Sequence, residues 1–319
     1  MTDVETDLLV VELDGCSWTE AAVRDCLRST RGRVAIGVSS SALDDGAAAL
    51  AENLTMTFAP SGPGRSWVAP QPDDLDLVRA TVERAPVASA ALATLLPITS
   101  TSQVSHALVA ESFAYSTLLA GPEFRAWRDA TPVGVATPAQ DPVVLERRGD
   151  VLIIRLNRPE RHNAFSHDVR DALVEGLELA RVDETIAHVE LSGCGPSFCS
   201  GGDLDEFGTT PDVAQAHLIR VRQSPGLLLH ELRDRVTVRL HGACIGAGLE
   251  LPAFAGRVVA EADTWFMLPE LRMGLVPGAG GTVSISRRIG RWRTAYLALT
   301  GRRIDVGTAF EWGLVDERV

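Results

Sequence analysis

The chain has 319 residues, 45% hydrophobic and 23% charged, and its 30 basic residues (all arginine) stand against 42 acidic ones for a net charge of −12. This is an ordinary globular composition, long enough for one large domain or two modest ones with a substantial core. The negative balance repels phosphate-rich partners, so neither a nucleic-acid nor a membrane partner is expected, and a small phosphorylated ligand would need a local basic patch.

The opening MTDVETDLL is acidic where a secretory leader is basic, and no run of about 18 apolar residues occurs, so a cytoplasmic protein is expected. Cys16, Cys26, Cys194, Cys199 and Cys244 are odd in number and lack paired CxxC spacing. Reduced thiols fit that pattern better than a disulfide frame or a zinc site, and no metal ligands are expected.

In chain order, DLLVVELDG and RVAIGVSS read as strands separated by the helix-like TEAAVRDCLRST, and SGPGRSWVAPQP reads as a loop. From Asp73 to Trp127 the pattern is mostly helical, with breaks expected near Pro86 and at Pro97–Ser102. Three prolines in DATPVGVATPAQDP, residues 129–142, mark a soft boundary. It divides the chain into an N-terminal region at 1–135, with helices at about 73–130, and a core at 143–319.

After the boundary, VVLERRGDVLIIRLNRP reads as two strands closed by a turn at Asn157–Pro159. SHDVRDALVEGLELAR has helical spacing with Ser166 as its N-cap, and IAHVELSG is a further strand. Strand–helix–strand order implies an α/β fold with a parallel sheet. Both parts open on this plan, a hint of internal duplication.

Three later segments carry the chemistry. In Ser197–Leu204, SFCSGGDL, adjacent glycines after a strand let amides point into a cavity, although a tight turn would use the same residues. In His241–Leu251, a strand runs into the small residues of HGACIGAGLEL, which open a helix and leave N–H donors available for an oxyanion. Close helix packing would also select small residues. Glu250 then sits among Leu249, Leu251, Ala253 and Phe254, where an unpartnered carboxylate is expensive. In Phe266–Thr282, Glu270 again has apolar neighbours and a glycine-rich loop follows; a salt bridge to Arg272 or Arg287 is its alternative explanation. Two carboxylates in one apolar cleft acquire different proton affinities, which suits one as acid and the other as base.

The ordered set NRPERHNAF, SFCSGGDL, GACIGAGLELP, LPELRMGLVPGAGGT and LTGRRIDVGTAFEWGLVDERV resembles the enoyl-CoA hydratase/isomerase (crotonase) family over about residues 143–319. The resemblance implies a crotonase-like ββα spiral and acyl-CoA thioester substrates, with no cofactor beyond the coenzyme A of the substrate. It implies an oxyanion hole from the amides of Gly202 and Ala247, with Gly246 as the neighbouring alternative. It further implies that Glu250 activates the water attacking Cβ and that Glu270 exchanges the Cα proton, the chemistry of a hydratase. Arg161, His162 and Ala164 match positions along the nucleotide end of CoA, and Ser200, Asp203 and Leu204 match the substrate-binding turn. A homo-oligomer, trimer or hexamer, is usual for the resemblance. Enoyl-CoA isomerisation, specialised acyl-CoA chemistry and a non-catalytic subunit are the competing functions.

Two departures bear on substrate affinity: Gly256 stands where the family commonly has aspartate, and Asp205 where a basic residue is common. A third is architectural. Members usually continue past the last motif in helices that cover the acyl site, whereas this chain ends at Val319. VERAPVASAALATLLPITS and AESFAYSTLLAGPEFRAW resemble those helices. The expectation is a degenerate N-terminal crotonase-like copy whose helical segment Ala110–Trp127 packs on the second part or on a neighbouring subunit, with one active site per chain.

Overall fold

The computed structural model describes residues 7–16, 18–132, 134, 140–210 and 212–319. Leu8–Glu12, Val34–Val38 and Met56–Phe58 form a parallel three-stranded sheet in that order. Successive side chains of its middle strand serve two cores: Val34 and Ile36 enter the main one, and Ala35 joins a small one with Leu50 and Leu54. The connecting helices start where short polar side chains can cap them. Thr19 accepts from the Ala22 N–H at 3.3 Å, and Asp44 from the Ala47 N–H at 2.8 Å. Met56–Phe58 was not expected from the sequence, because three residues show no periodicity.

Four helices follow, Asp74–Arg84, Pro86–Thr101, Val104–Leu119 and Pro122–Ala130. Of the break expected at Pro97–Ser102 only the Ser102 end is realised: the helix runs through Pro97 and the chain turns at Ser102–Gln103. Pro97 lies on the exposed face, where water can serve the carbonyl it frees, and the turn beyond it is held by Thr99, whose hydroxyl donates to the Thr282 carbonyl at 2.9 Å. The expected boundary at 129–142 falls partly on residues 133 and 135–139, which lie outside the described residues.

Val143–Arg148 and Val151–Leu156 pair antiparallel and open a six-stranded sheet. Its remaining strands, His188–Gly193, Val236–Leu240, Arg257–Ala260 and Glu317–Arg318, add in parallel. Ser166 caps the helix His167–Val182, which buries Val169, Leu173, Leu177 and Ala180 as one face. A third sheet joins Ala243–Ile245, Trp265–Met267 and Ile304–Asp305.

The main core is continuous across both parts of the chain, running from Ile36 and Leu92 to Leu268 and Leu299. Polar contacts follow it. Buried Asp74 accepts from the Tyr296 hydroxyl at 3.3 Å and from Arg302, and Arg291 donates to the Leu54 carbonyl at 3.1 Å. The helix Val104–Leu119 is thereby packed beside the glycine-rich loop at 278–282. Among the described residues, no helix is long and apolar enough to cross a membrane.

Candidate active site

The strand Ala243–Ile245 ends at Gly246, whose φ of 50° turns the chain into the short helix Ala247–Glu250. That turn points Glu250 inward, where it is 2% exposed. One of its oxygens, Oε2, accepts from the Ala279 N–H at 2.7 Å and the Gly281 N–H at 2.8 Å. Glu270 opens a 3₁₀ turn after Pro269 and is also buried. Among the described residues its Oε2 has no hydrogen-bond partner. Neither expected salt bridge forms: Arg272 donates to the Gly301 carbonyl at 3.2 Å, and Arg287 donates to the Ser102 carbonyl. A side chain at 246 would place its Cβ 2.5 Å from Glu270 Oε1, so the same glycine that makes the turn leaves room for the second carboxylate.

The turn SFCSGGDL runs beside Ala243–Ile245. The Cys199 N–H donates to the Ala243 carbonyl at 3.2 Å, and the Ile245 N–H to the Cys199 carbonyl at 3.0 Å. This lateral pairing brings Gly202 and Ala247 to the wall of one cavity, of about 1210 Å³, which Glu250 and Glu270 also line. Among the described residues neither the Gly202 nor the Ala247 N–H donates to another backbone group. Ala247 opens its helix, so its amide has no partner within it. The Phe207 ring lies 2.5 Å from where a Cβ on Gly202 would be, and it continues into an aromatic wall with Trp127 and Phe124.

The remaining sequence-derived positions divide. Ser200, Asp203, Leu204 and Gly246 line the cavity, whereas Arg161, His162 and Ala164 are not part of its wall and lie beside the turn that is. Asp203 is a buried ion-pair centre, accepting from Arg158 at 3.0 Å and Arg161 at 2.9 Å. Arg161 also pairs with Asp205 at 2.5 Å, and this partner holds the Asp205 carboxyl below its usual range. The negative charge expected to repel a phosphorylated ligand is thus matched locally. His162 Nδ1 lies 2.9 Å from the Ser197 hydroxyl, and Ala164 gives its carbonyl to Arg158 at 2.9 Å. At Gly256 a Cβ would stand 2.4 Å from the Arg233 carbonyl, so close backbone approach excludes aspartate there.

Sequence reasoning missed a third carboxylate. Glu111, on the helix Val104–Leu119, is 2% exposed and lines the same cavity. It accepts from the Gly280 N–H at 2.7 Å, the Thr282 N–H at 2.9 Å and the Thr282 hydroxyl at 2.6 Å. Tyr115, one turn further along, joins it in the wall, with the Arg220 guanidinium 4.9 Å from the centre of its ring. The signal was present in AESFAY, a lone carboxylate among small and apolar residues.

Burial raises the proton affinity of all three glutamates, and like charge adds to it: Glu250 acts on Glu111 and on Glu270. The donor sets rank them. Glu111 receives three hydrogen bonds and Glu250 two, both of which favour the ionised form, while the free Oε2 of Glu270 receives none. A proton shared within this group is therefore best placed on Glu270. Cysteine chemistry is not poised here, since burial pushes the Cys199 thiol up to about 12. Among the described residues, no group of three or more His, Cys, Asp or Glu side chains is arranged to hold a metal ion.

Residues 146–319 match the enoyl-CoA hydratase/isomerase family. The chain is 34% identical to a 1,2-epoxyphenylacetyl-CoA isomerase of Escherichia coli over 170 residues, which cover 52% of this chain and 64% of that protein. It is 33% identical to a 2,3-dehydroadipyl-CoA hydratase of the same organism over 175 residues, 55% of this chain and 68% of that one. The crystal structure of an enoyl-CoA hydratase from Mycobacterium smegmatis superimposes with a TM-score of 0.52 at 30% identity, covering 56% of this chain and 70% of that one. The chain thus spans about two thirds of the length of these relatives. With the ordered motifs, the paired strands and the cavity between them, the chain belongs to the enoyl-CoA hydratase/isomerase family and has its crotonase fold.

Proposed function

We propose that this protein adds water reversibly to a 2-enoyl-CoA thioester, with Glu250 and Glu270 as base and acid. The observation that carries this reading is the unequal treatment of two buried carboxylates beside two uncommitted amides in one cavity. The amides of Gly202 and Ala247 receive the thioester oxygen. Glu250, ionised and held by two N–H donors, takes a proton from water as its oxygen bonds to Cβ. The Cα=Cβ electron pair moves onto the thioester, giving an enolate whose oxygen the two amides stabilise. Collapse of the enolate takes the proton of Glu270 at Cα, and proton exchange resets the pair.

Each oxyanion donor contributes about 3–4 kcal/mol in comparable acyl sites, and each positioned acid or base about a hundredfold to ten-thousandfold in rate. A cavity of about 1210 Å³ accommodates an acyl group larger than crotonyl. Double-bond isomerisation needs one base to move a proton between two carbons, whereas two carboxylates in opposite protonation states suit hydration. The test is the loss of the conjugated-thioester absorbance on mixing purified protein with crotonyl-CoA and longer or aromatic enoyl-CoAs. Product analysis identifies the 3-hydroxyacyl thioester. Absorbance loss without that product would assign the protein to isomerisation.

A further inference from the structure

We propose that Glu111 is a positioning residue of this site, gripping the loop 278–282 from the opposite side to Glu250 and thereby fixing the orientation of the Glu250 carboxylate. The proposal rests on the acid/base reading of Glu250. Four consecutive amides alternate between two buried side chains. Those of Ala279 and Gly281 donate to Glu250, and those of Gly280 and Thr282 donate to Glu111. Gly280, at φ 105°, provides the reversal that lets neighbouring N–H groups face opposite ways. The Thr282 hydroxyl adds a third donor to Glu111.

The loop opens the helix Gly281–Ile289, whose first amides would otherwise be orphaned, so both carboxylates sit at a favourable helix end. Without Glu111, the Gly280 and Thr282 amides lose their acceptor and the loop that holds Glu250 loses half of its attachment. Glu111 comes from residues before the core, 169 positions from Gly280, so the N-terminal helix contributes to a site whose two other buried glutamates and uncommitted amides lie after residue 200. The charge of Glu250 in turn raises the proton affinity of Glu111. The other ionisable groups around this pair are Glu270, Tyr115, Cys199 and, from the helix Val213–Arg222, Arg220; among these, only Arg220 is cationic.

A helix cap alone would leave the titration of Glu250 unmoved, which separates the two roles. Difference infrared spectroscopy of the buried carboxyl band, assigned with Glu250→Gln, follows that titration in the absence of substrate. In Glu111→Gln the Glu250 midpoint should rise by about one pH unit, as the loosened loop weakens the Ala279 and Gly281 donors that favour ionised Glu250. The hydration kcat should fall about tenfold, with KM within about twofold of wild type. An unmoved midpoint together with wild-type kcat overturns the proposal. If wild-type protein hydrates no enoyl-CoA, the functional reading fails, while the infrared midpoint still decides the role of Glu111. If Glu111→Gln does not fold, Thr282→Val removes a single donor; a smaller upward shift of the Glu250 midpoint is then expected, and no shift overturns the proposal.

Discussion

Glu250 and Glu111, 139 positions apart in the chain, hold the two sides of one loop: Glu250 receives the Gly281 amide at 2.8 Å and Glu111 the Gly280 amide at 2.7 Å. Two buried carboxyl groups share the loop because each has its own donors. Glu270, beside them, has a carboxyl oxygen with none. The chemistry proposed for the site depends on that inequality.

The pH dependence follows. The proposed reaction requires ionised Glu250 and protonated Glu270, so kcat should rise as pH increases through the Glu250 midpoint. Burial places that midpoint at about 7. It should fall again as Glu270, raised by burial and by the Glu250 charge, loses its proton at higher pH. A kcat–pH profile from pH 5 to 10 checks both limbs. In Glu250→Gln the acidic limb should vanish along with most of the activity.

The same raised affinities make the folded protein less stable as pH increases. A glutamate in the unfolded chain titrates near 4.3, so above about pH 5 the folded state holds protons that the unfolded state has released. The stability these groups contribute is complete below the unfolded value and is lost as pH rises toward the folded ones, at about 1.4 kcal/mol for each unit of raised affinity. Glu270→Gln, which imitates the protonated form, should therefore have a higher urea midpoint than wild type at pH 8. At pH 5 the difference should nearly disappear.

Gly246→Ala should separate activity from folding. Its Cβ would stand 2.5 Å from Glu270 Oε1, at a backbone φ of 50° that a side chain strains. The expected loss is about 1–3 kcal/mol in denaturant unfolding, with a fall in kcat of about a hundredfold as Glu270 is displaced.

Asp203→Ala would leave the Arg158 guanidinium buried without its carboxylate. Breaking a buried pair in this way costs about 3–5 kcal/mol, measurable as a lowered urea midpoint. Because the turn carrying Gly202 is anchored by this pair, affinity for a CoA thioester should fall as well, read by calorimetric titration with acetyl-CoA.

Glu250 and Glu270 were legible in the sequence because each is a lone carboxylate among apolar neighbours, next to small residues that only a close approach requires. Glu111 gave the same local signal, but its partners lie 169 and 171 positions away, and no short-range pattern reports a contact of that span. Arg161 and His162 were singled out by motif position alone; the fold engages them with Asp203 and Ser197, polar groups whose orientation the sequence does not encode. The strands Val151–Leu156, His188–Gly193 and Val236–Leu240 and the helix His167–Val182 followed from periodicity. The continuous helix through Pro97 did not, since the contact that holds its last turn, Thr99 to Thr282, is again tertiary.

The most direct measurement is the rate at which the conjugated-thioester absorbance of a 2-enoyl-CoA is lost, compared among wild type, Glu250→Gln and Glu270→Gln, with circular dichroism showing that each variant is folded. Two carboxylates acting together predict 3-hydroxyacyl-CoA from wild type and a fall of at least about a hundredfold in each variant. Wild-type rates in either folded variant would contradict the assignment of that glutamate, and no hydration by wild type of any short, long or aromatic enoyl-CoA would contradict the proposed reaction.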